Sequence, residues 1–383
     1  MTTTAPMGFS AAGVAAGLKS SGDPDVAVVL NTGPDDAAAA VFTTNRFPAA
    51  PVQWSRQVLA GRRARAVVLN SGGANACTGP EGFQDTHATA EHAAAEIGIG
   101  AIDVVVASTG LIGVRLPMDK LLPGVTGAVQ SLSADGGADA ARAIMTTDSV
   151  PKTTVQQRDG WTIGGMAKGA GMLAPSLATM LVVLTTDAQV PADVLQRALA
   201  QATAVSFERV DSDGCLSTND TVLVMANGAA GVAPTEEQLT EALTAACTDL
   251  AMQLLGDAEG STKDIAITVR NAASVEDALT AGRACARNNL LKTALFGNDP
   301  NWGRVLAAIG TTDAAFEAGD VDVTINGVTV CRGGAIGDPR EGVDLTGRAI
   351  TIDVDLKAGG EQATIWTNDL SIAYVHENSA YST

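Results

Sequence analysis

The amino-acid sequence predicts an α/β protein in which short buried strands alternate with amphipathic helices. Apolar runs of strand length stand between turn residues, as in 25–30 and 181–187. Longer stretches with apolar residues three and four apart, such as 191–203 and 236–254, indicate helices. Hydrophobic residues make up 46% of the 383 residues and aromatic residues only 3%, so the core must be built from Ala, Val, Leu and Ile.

The individual elements follow from these patterns. Pro123 and Gly124 predict a break in a helix over 118–132, and Asn326-Gly327 predicts a tight hairpin. No internal repeat or low-complexity linker divides the chain. Strands are predicted over 25–30, 38–45, 64–70, 102–107, 181–187, 221–226 and 265–269, and helices over 84–97, 118–132, 138–145, 191–203, 236–254 and 275–287.

The charge of the chain restricts its partners. A formal net charge of −18 argues against nucleic acid and anionic membrane surfaces, and favours a soluble cytoplasmic protein. The first residues lack the basic and apolar regions of a signal peptide. No apolar run reaches the roughly 18 residues of a membrane helix.

Cysteine and histidine give no sign of a disulfide framework or a metal. The five cysteines are odd in number and show no CxxC spacing, which predicts reduced thiols. His87 and His92 are five residues apart, whereas a metal pair on a helix has a spacing of three or four. We expect no metal and no cofactor.

The stretch around which the chain is organised runs from Lys168 to Asp187. Its first part is rich in glycine and contains a proline, and its second part is a buried strand. Thr179 lies where the irregular part becomes the strand. From the residues alone, Thr179 is either a strand-entry threonine that caps the loop or a nucleophile.

Two further strands end in loops of small polar residues. The strand 102–107 leads to Thr109-Gly110, which offers a hydroxyl and a flexible N–H at a strand tip, either as an oxyanion hole or as a plain turn. The strand 64–70 leads to the glycine- and asparagine-rich loop 71–79, which is either a ligand loop or a tight turn.

The run Lys168 to Asp187 resembles the self-processing segment of the ornithine acetyltransferases, the bifunctional glutamate N-acetyltransferases of arginine biosynthesis. The run 289–304 is similar to the same family, as is the loop 71–79, although Gly73 stands where the family usually has Asn. The resemblance implies a layered α/β sandwich of the N-terminal-nucleophile type. It also implies autocleavage at Ala178-Thr179 into an alpha chain, 1–178, and a beta chain, 179–383.

The resemblance further implies the chemistry. Acetyl would pass from N-acetylornithine to glutamate by a ping-pong mechanism, within cyclic arginine biosynthesis. Thr179 would be the nucleophile, with the α-amine freed by the cut as its base, and Thr109 and Gly110 would hold the oxyanion. Some family members also acetylate glutamate from acetyl-CoA, and no motif here decides between the two types.

A substrate site is implied in the same way. Lys168 is matched by charge to the α-carboxylate of both amino acids, and Glu259 to the side-chain ammonium of ornithine. One of two adjacent threonines belongs to the site, and the sequence does not choose between them. The substrate-binding set comprises Thr146, Thr147, Lys168, Thr179, Glu259, Asn378 and Thr383.

Each of these residues also has an ordinary explanation. Adjacent threonines before an acidic residue are typical of a helix N-cap, Glu259 could be a solvated carboxylate, and a polar C-terminus is usually frayed. The run 289–304 is equally compatible with a structural and a pocket-lining role. Asp211-x-Asp213-Gly is a turn, because the glutamate of a calcium loop is absent at the required spacing.

Two other functions compete with the transferase. A self-processing aminopeptidase or amidase of related architecture would use the same threonine with water as acceptor. A small-molecule-binding or scaffold protein would keep its chain intact. For the transferase, the resemblance implies that the two fragments stay together and pair into a heterotetramer of two alpha and two beta chains.

Overall fold

Strands of the chain form three sheets within residues 2–174 and 180–380, which are the residues that the computed structural model describes. Helices cover these sheets, which confirms the predicted α/β class. The strands are β1 (Phe9–Val14), β2 (Val26–Asn31), β3 (Ala37–Phe42), β4 (Ala66–Asn70), β5 (Val104–Ser108), β6 (Lys152–Arg158), β7 (Trp161–Lys168), β8 (Leu181–Thr186), β9 (Thr221–Ala226), β10 (Asp264–Ala272), β11 (Asp322–Ile325), β12 (Val328–Arg332), β13 (Ala335–Ile336), β14 (Ala349–Asp355) and β15 (Glu361–Asn368). The helices are α1 (Ala50–Val58), α2 (Gly79–Ile97), α3 (Met118–Gln130), α4 (Gly137–Ala143), α5 (Ala192–Ala204), α6 (Glu236–Gly256), α7 (Val275–Ala286), α8 (Asn289–Phe296), α9 (Trp302–Ile309) and α10 (Ile372–Ala380).

The order of the strands explains where the loops meet. The first sheet has the order β1-β2-β4-β5, the second β3-β9-β8-β7-β6, and the third β13-β12-β11-β14-β10-β15. In the first sheet β4 and β5 are parallel, with Asn70 opposite Ser108. Parallel strands end at the same edge, so the loops that follow Asn70 and Ser108 begin side by side.

The second sheet is the central layer, because both of its faces are buried. Along β8, Leu181 and Val183 belong to the apolar core that contains the first sheet. Val182 and Leu184 face the opposite way, into a core shared with α5 and α6. Two sheets packed face to face with helices outside them form the layered sandwich that was expected. The third sheet has a separate core with α7, α8 and α9.

The break predicted at Pro123 is wrong. The helix α3 runs through Pro123 without interruption and buries Leu121 and Val125. Apolar packing of this face outweighs the hydrogen bond that a proline removes. Gly124 serves close packing instead, since a Cβ there would lie 2.4 Å from the Cβ of Ala16.

Several elements were not predicted individually, among them β1, α1, β6, β7, α8, α9 and α10. By contrast, the hairpin at Asn326-Gly327 is present between β11 and β12, and both of its residues have positive φ as a type I′ turn requires. None of the helices in the described part of the chain is long and apolar enough to cross a membrane.

The α6 layer offers a test of the core. Leu243 is fully buried in the core between the second sheet and α6, whereas Glu241 is exposed on the same helix. We expect Leu243→Ala to lower the free energy of unfolding by about 2–5 kcal/mol, because the cavity left behind loses packing contacts. Glu241→Ala should change it by about 0.5 kcal/mol or less. Urea unfolding of both variants measures this, and equal effects would contradict the assigned layer.

Candidate active site

A pocket of about 390 Å³ lies where the strand ends of the first two sheets meet α10. Most of the residues that the sequence analysis placed in a catalytic or substrate site line this pocket. Both adjacent threonines do so, and the structure does not separate their roles. The predicted residues in the pocket are Thr109, Gly110, Thr146, Thr147, Lys168, Glu259 and Asn378. Ala178, Thr179 and Thr383 lie outside the described residues.

Thr109 and Gly110 are held at the tip of β5 by backbone contacts. The N–H of Thr109 donates to Asn70 O at 3.0 Å, and its carbonyl accepts from Gly73 N at 3.0 Å. Gly110 has φ +131°, and a Cβ there would lie 2.9 Å from the Gly73 backbone. No described residue accepts a hydrogen bond from the Gly110 N–H.

Gly73, where the resembled family usually has Asn, acts through its backbone. A Cβ at this position would meet only the flexible tip of Leu116, at 3.1 Å. Gly73 does not line the pocket, although its neighbours Ser71 and Gly72 do. The departure from the family pattern therefore leaves the contact with Thr109 in place.

Lys168 is the last residue of β7 and is almost fully buried. Its Nζ donates to the Oγ1 of Thr109 at 3.2 Å. Burial lowers the pKa of Lys168 below its ordinary value, and the carboxylate of Asp148 acts against this shift. The Thr109 hydroxyl accepts from an ammonium group, so its own proton is free to point into the pocket.

Asp148 connects two segments of the pocket wall. Its Oδ2 accepts from the N–H of Thr146 at 2.9 Å, and its Oδ1 accepts from the N–H of Gly169 at 2.7 Å. Burial would raise the pKa of Asp148, but the ammonium groups of Lys168 and Lys152 outweigh burial and lower that pKa to about 2. In the sequence, Asp148 is visible only as the acidic residue that follows the two threonines.

Lys152 completes this buried charge cluster. Its Nζ donates to Asp148 Oδ1 and to Asp257 Oδ2, at 2.6 Å each, and its side chain is fully buried. Asp257 also accepts from the N–H of Ser149 at 3.0 Å. Each buried charge therefore has charged partners, which is the condition under which such charges are tolerated.

Glu259 forms the opposite wall. Its N–H donates to Ala170 O at 2.9 Å. A Cβ on Gly171 would lie 2.6 Å from Glu259 Oε2, so a larger residue here would displace the carboxylate from its present position. The Ser371 hydroxyl donates to Gly260 O at 2.5 Å, just before α10, which brings Asn378 to the pocket.

A second cavity of about 240 Å³ shares Glu259 with this pocket. It is lined by Asn289 and by Lys292, so the run 289–304 contains both lining and structural residues. Lys292 is nearly buried and donates to Thr367 Oγ1 at 3.0 Å, and burial lowers its pKa to about 8. Asp213 turns the chain as expected and accepts from the N–H of Leu173 at 3.1 Å.

Ser71 and Gly72 belong to the loop 71–79, which the sequence left open as a ligand loop or a tight turn, and both line the pocket. Lys19 also lines it but was not predicted to do so. Lys19 carries no sequence signal. Its backbone N–H, like that of Leu18, donates to the buried Asp25 carboxylate. Nowhere in 2–174 or 180–380 do three or more His, Cys, Asp or Glu residues form a group that could hold a metal ion.

Charged groups of both signs at the strand ends of a layered α/β sandwich are suited to an enzyme that acts on a small polar molecule. Comparisons with known proteins identify the family of this chain. The family model described as the ArgJ family matches residues 10–383. The arginine biosynthesis bifunctional protein ArgJ of Streptomyces coelicolor is 63% identical over 382 residues, covering 100% of both chains, and that of Thermobifida fusca is 62% identical over 383 residues, again covering 100% of both. The chain belongs to the ArgJ family.

A crystal structure of an ornithine acetyltransferase from Mycobacterium tuberculosis, in complex with ornithine, is also similar. It aligns with a TM-score of 0.45 and 60% sequence identity, and covers 47% of this chain and 96% of that chain. Family membership confirms the resemblance found in the sequence, and with it the assignment to the acyltransferases of arginine biosynthesis.

The Asp148 cluster predicts a specific dependence of stability on pH. The pKa of Asp148 in the folded chain, about 2, lies below its unfolded value, so its contribution to stability is present above about pH 4 and is lost as pH falls towards 2. We expect Asp148→Asn to have a lower free energy of unfolding than wild type at pH 6. This difference should shrink by about 2 kcal/mol at low pH.

Urea unfolding between pH 6 and pH 2.5 measures the gap. Asp139→Asn is the matched control, because Asp139 forms an exposed ion pair with Arg142. The free energy of unfolding of Asp139→Asn should stay within about 0.5 kcal/mol of the wild-type value over this pH range. A gap for Asp148→Asn that does not change with pH would contradict the cluster.

Proposed function

We propose that the chain transfers the acetyl group of N-acetylornithine to glutamate, using Thr179 as nucleophile after cleavage of the Ala178-Thr179 bond. One observation carries the assignment of residues to roles. Thr109, Gly110, Lys168 and Glu259, which are far apart in the sequence, line a single pocket. Membership in a family whose relatives are bifunctional proteins of arginine biosynthesis carries the choice of substrates.

Self-processing begins with the Thr179 hydroxyl. Its oxygen attacks the carbonyl carbon of Ala178, the C–N bond breaks, and the acyl group moves to oxygen as an ester while the α-amine of Thr179 becomes free. Water then hydrolyses the ester and restores the hydroxyl. The new α-amine has an unperturbed pKa near 8, so it can act as a base at neutral pH.

Acetyl transfer uses the same hydroxyl in two steps. Thr179 attacks the acetyl carbonyl of N-acetylornithine and gives its proton to the α-amine, and the C–N bond then breaks as ornithine leaves with that proton. In the second step the amine of glutamate attacks the acetyl ester, the bond between the acetyl carbon and the Thr179 oxygen breaks, and the proton lost by the glutamate amine passes through the α-amine to that oxygen. In both steps the oxyanion receives hydrogen bonds from the Thr109 hydroxyl and the Gly110 N–H.

The charges of the pocket match the two substrates. Among the described lining residues, Lys19 and Lys168 are the cations and Glu259 is the carboxylate. Lys168 would hold the α-carboxylate common to both amino acids, and Glu259 the side-chain ammonium of ornithine. Glutamate brings a second carboxylate in place of that ammonium, and Lys19 is the cation left to receive it.

The cut would not separate the two fragments. It falls between β7 and β8, which pair in the second sheet with Lys168 opposite Leu181. We therefore propose that the fragments remain one folded unit, that two such units form the heterotetramer, and that the enzyme works in the cytoplasm. Acetyl-CoA is proposed as a second acetyl donor, in keeping with the word bifunctional in the relatives' name.

The first test is the intact mass of the purified protein beside Thr179→Ala. We expect wild type to give two fragments divided at Ala178-Thr179 and the variant to stay whole, because the variant lacks the attacking oxygen. The acetyl transfer rate, with and without glutamate, is then measured on wild type. Release of acetate without any need for glutamate would instead indicate a hydrolase, and a whole wild-type chain would overturn the mechanism.

A second test separates the two lysines. We expect Lys168→Ala to raise KM for both N-acetylornithine and glutamate by about 10- to 100-fold, because it removes a charged hydrogen bond from each. Lys19→Met should raise KM for glutamate alone, by about 10-fold. Lys120→Met is the control, since Lys120 donates to Gly17 O, close in sequence to Lys19, but does not line the pocket. A Lys168→Ala variant that kept the wild-type kcat/KM for N-acetylornithine would contradict the role assigned to Lys168.

A further inference from the structure

Two adjacent buried side chains, Asn219 and Asp220, lie directly before β9 and contact residues that are next in sequence to the proposed nucleophile and to Thr109. The Oδ1 of Asp220 accepts a hydrogen bond from the N–H of Met180 at 3.1 Å. Met180 directly follows the proposed nucleophile in the sequence, so Asp220 holds the first described residue after it.

Asn219 holds the residue before Thr109. Its Nδ2 donates to the carbonyl of Ser108 at 2.8 Å and to the carbonyl of Ala74 at 2.6 Å. The Ser108 carbonyl belongs to the peptide bond between Ser108 and Thr109, the residue proposed to bind the oxyanion. One dipeptide thus contacts two peptide groups that are about 70 positions apart in the sequence, and its own α-carbons are about 3.8 Å apart.

The hydrogen bonds of Asn219 and Asp220 supply a directional link between the two sheets, which the packing of the sheets does not. Ser108 ends β5 in the first sheet, whereas Met180 precedes β8 in the second. The two sheets meet through apolar side chains, and such packing is non-directional, so it does not fix the ends of β5 and β8 relative to each other. Hydrogen bonds have defined lengths and angles and can fix that separation.

We infer that Asn219 and Asp220 are positioning residues that set the separation between the Thr179 nucleophile and the oxyanion donors Thr109 and Gly110. The inference rests on the proposed function. It assigns Asn219 and Asp220 no contact with substrate, so their effect should appear in kcat and in self-cleavage and not in KM.

The surroundings of Asp220 indicate which substitution should be tolerated. The residue is fully buried, and its Oδ2 accepts no hydrogen bond from a described residue. An ionised carboxylate with a bare buried oxygen would be costly. Burial accordingly raises the pKa of Asp220 well above its ordinary value. A neutral amide that still offers one oxygen to Met180 should therefore replace it.

The experiment compares four variants. Asn219→Asp puts an oxygen where two carbonyls expect a donor, and we expect kcat to fall by about 100-fold, with slower self-cleavage and KM for N-acetylornithine within about threefold of wild type. Asp220→Ala should lower kcat by a similar factor, because Met180 loses its acceptor. Asp220→Asn should keep kcat within about threefold of wild type.

Asn227 provides the matched control. It is as buried as Asn219 and follows the other end of β9, where its Nδ2 also donates to two backbone carbonyls, those of Met7 and Gly8. Asn227→Asp therefore makes the same chemical change at a comparable cost in stability. We expect it to keep wild-type kcat and cleavage.

The outcomes distinguish a failure of the inference from a failure of the proposed function. Equal kcat for Asn219→Asp and Asn227→Asp would overturn the inference, as would Asp220→Asn and Asp220→Ala variants of equal activity. If Asn219→Asp does not fold, the two Asp220 variants decide alone. A wild-type enzyme that cleaves itself but transfers no acetyl overturns the proposed function. The cleavage rates of the variants then test the positioning role of Asn219 and Asp220. A wild-type chain that does neither overturns both.

Discussion

The pocket depends most on the hydrogen bonds and the ion pair that the buried carboxylate of Asp148 accepts. An unpaired charge in the interior is very costly, so the fold must bring donors to it. Two of those donors, the N–H of Thr146 and the ammonium of Lys152, lie in the same segment as Asp148, and the third, the N–H of Gly169, follows β7. Satisfying one anion therefore assembles one wall of the site and places Lys168, whose charge the anion supports.

The sandwich explains why such a charge cluster lies at the edge of the layers. Both faces of the second sheet pack in apolar cores, so charged groups find partners and solvent more readily where strands end. With aromatics at 3% of the sequence, small residues bring the layers close, and a Cβ on Gly13 of β1 would lie 2.1 Å from Asp139 O of α4. The site thus lies beside the apolar cores, at the ends of the strands.

Much of the fold follows from local patterns, and much of the site does not. Strands such as β8 and helices such as α6 are visible because a buried face imposes its period on the sequence. Short helices were missed, although Asn288 and Asn301 cap α8 and α9 with their side chains and could have signalled them. The pocket residues were found by family resemblance. Asp148 was visible only as the acidic residue after the two threonines, and Lys19 had no sequence signal, because a place in the lining of a pocket depends on which distant segments meet there.

The part played by α10 has a consequence for how the enzyme is made. The wall that carries Asn378 is contributed by the last described helix, whereas Thr109 comes from the first sheet. During translation the early strands leave the ribosome long before α10 exists, so a nascent chain has an open cleft instead of a closed pocket. The lining of the pocket is therefore complete only after synthesis has passed Asn378.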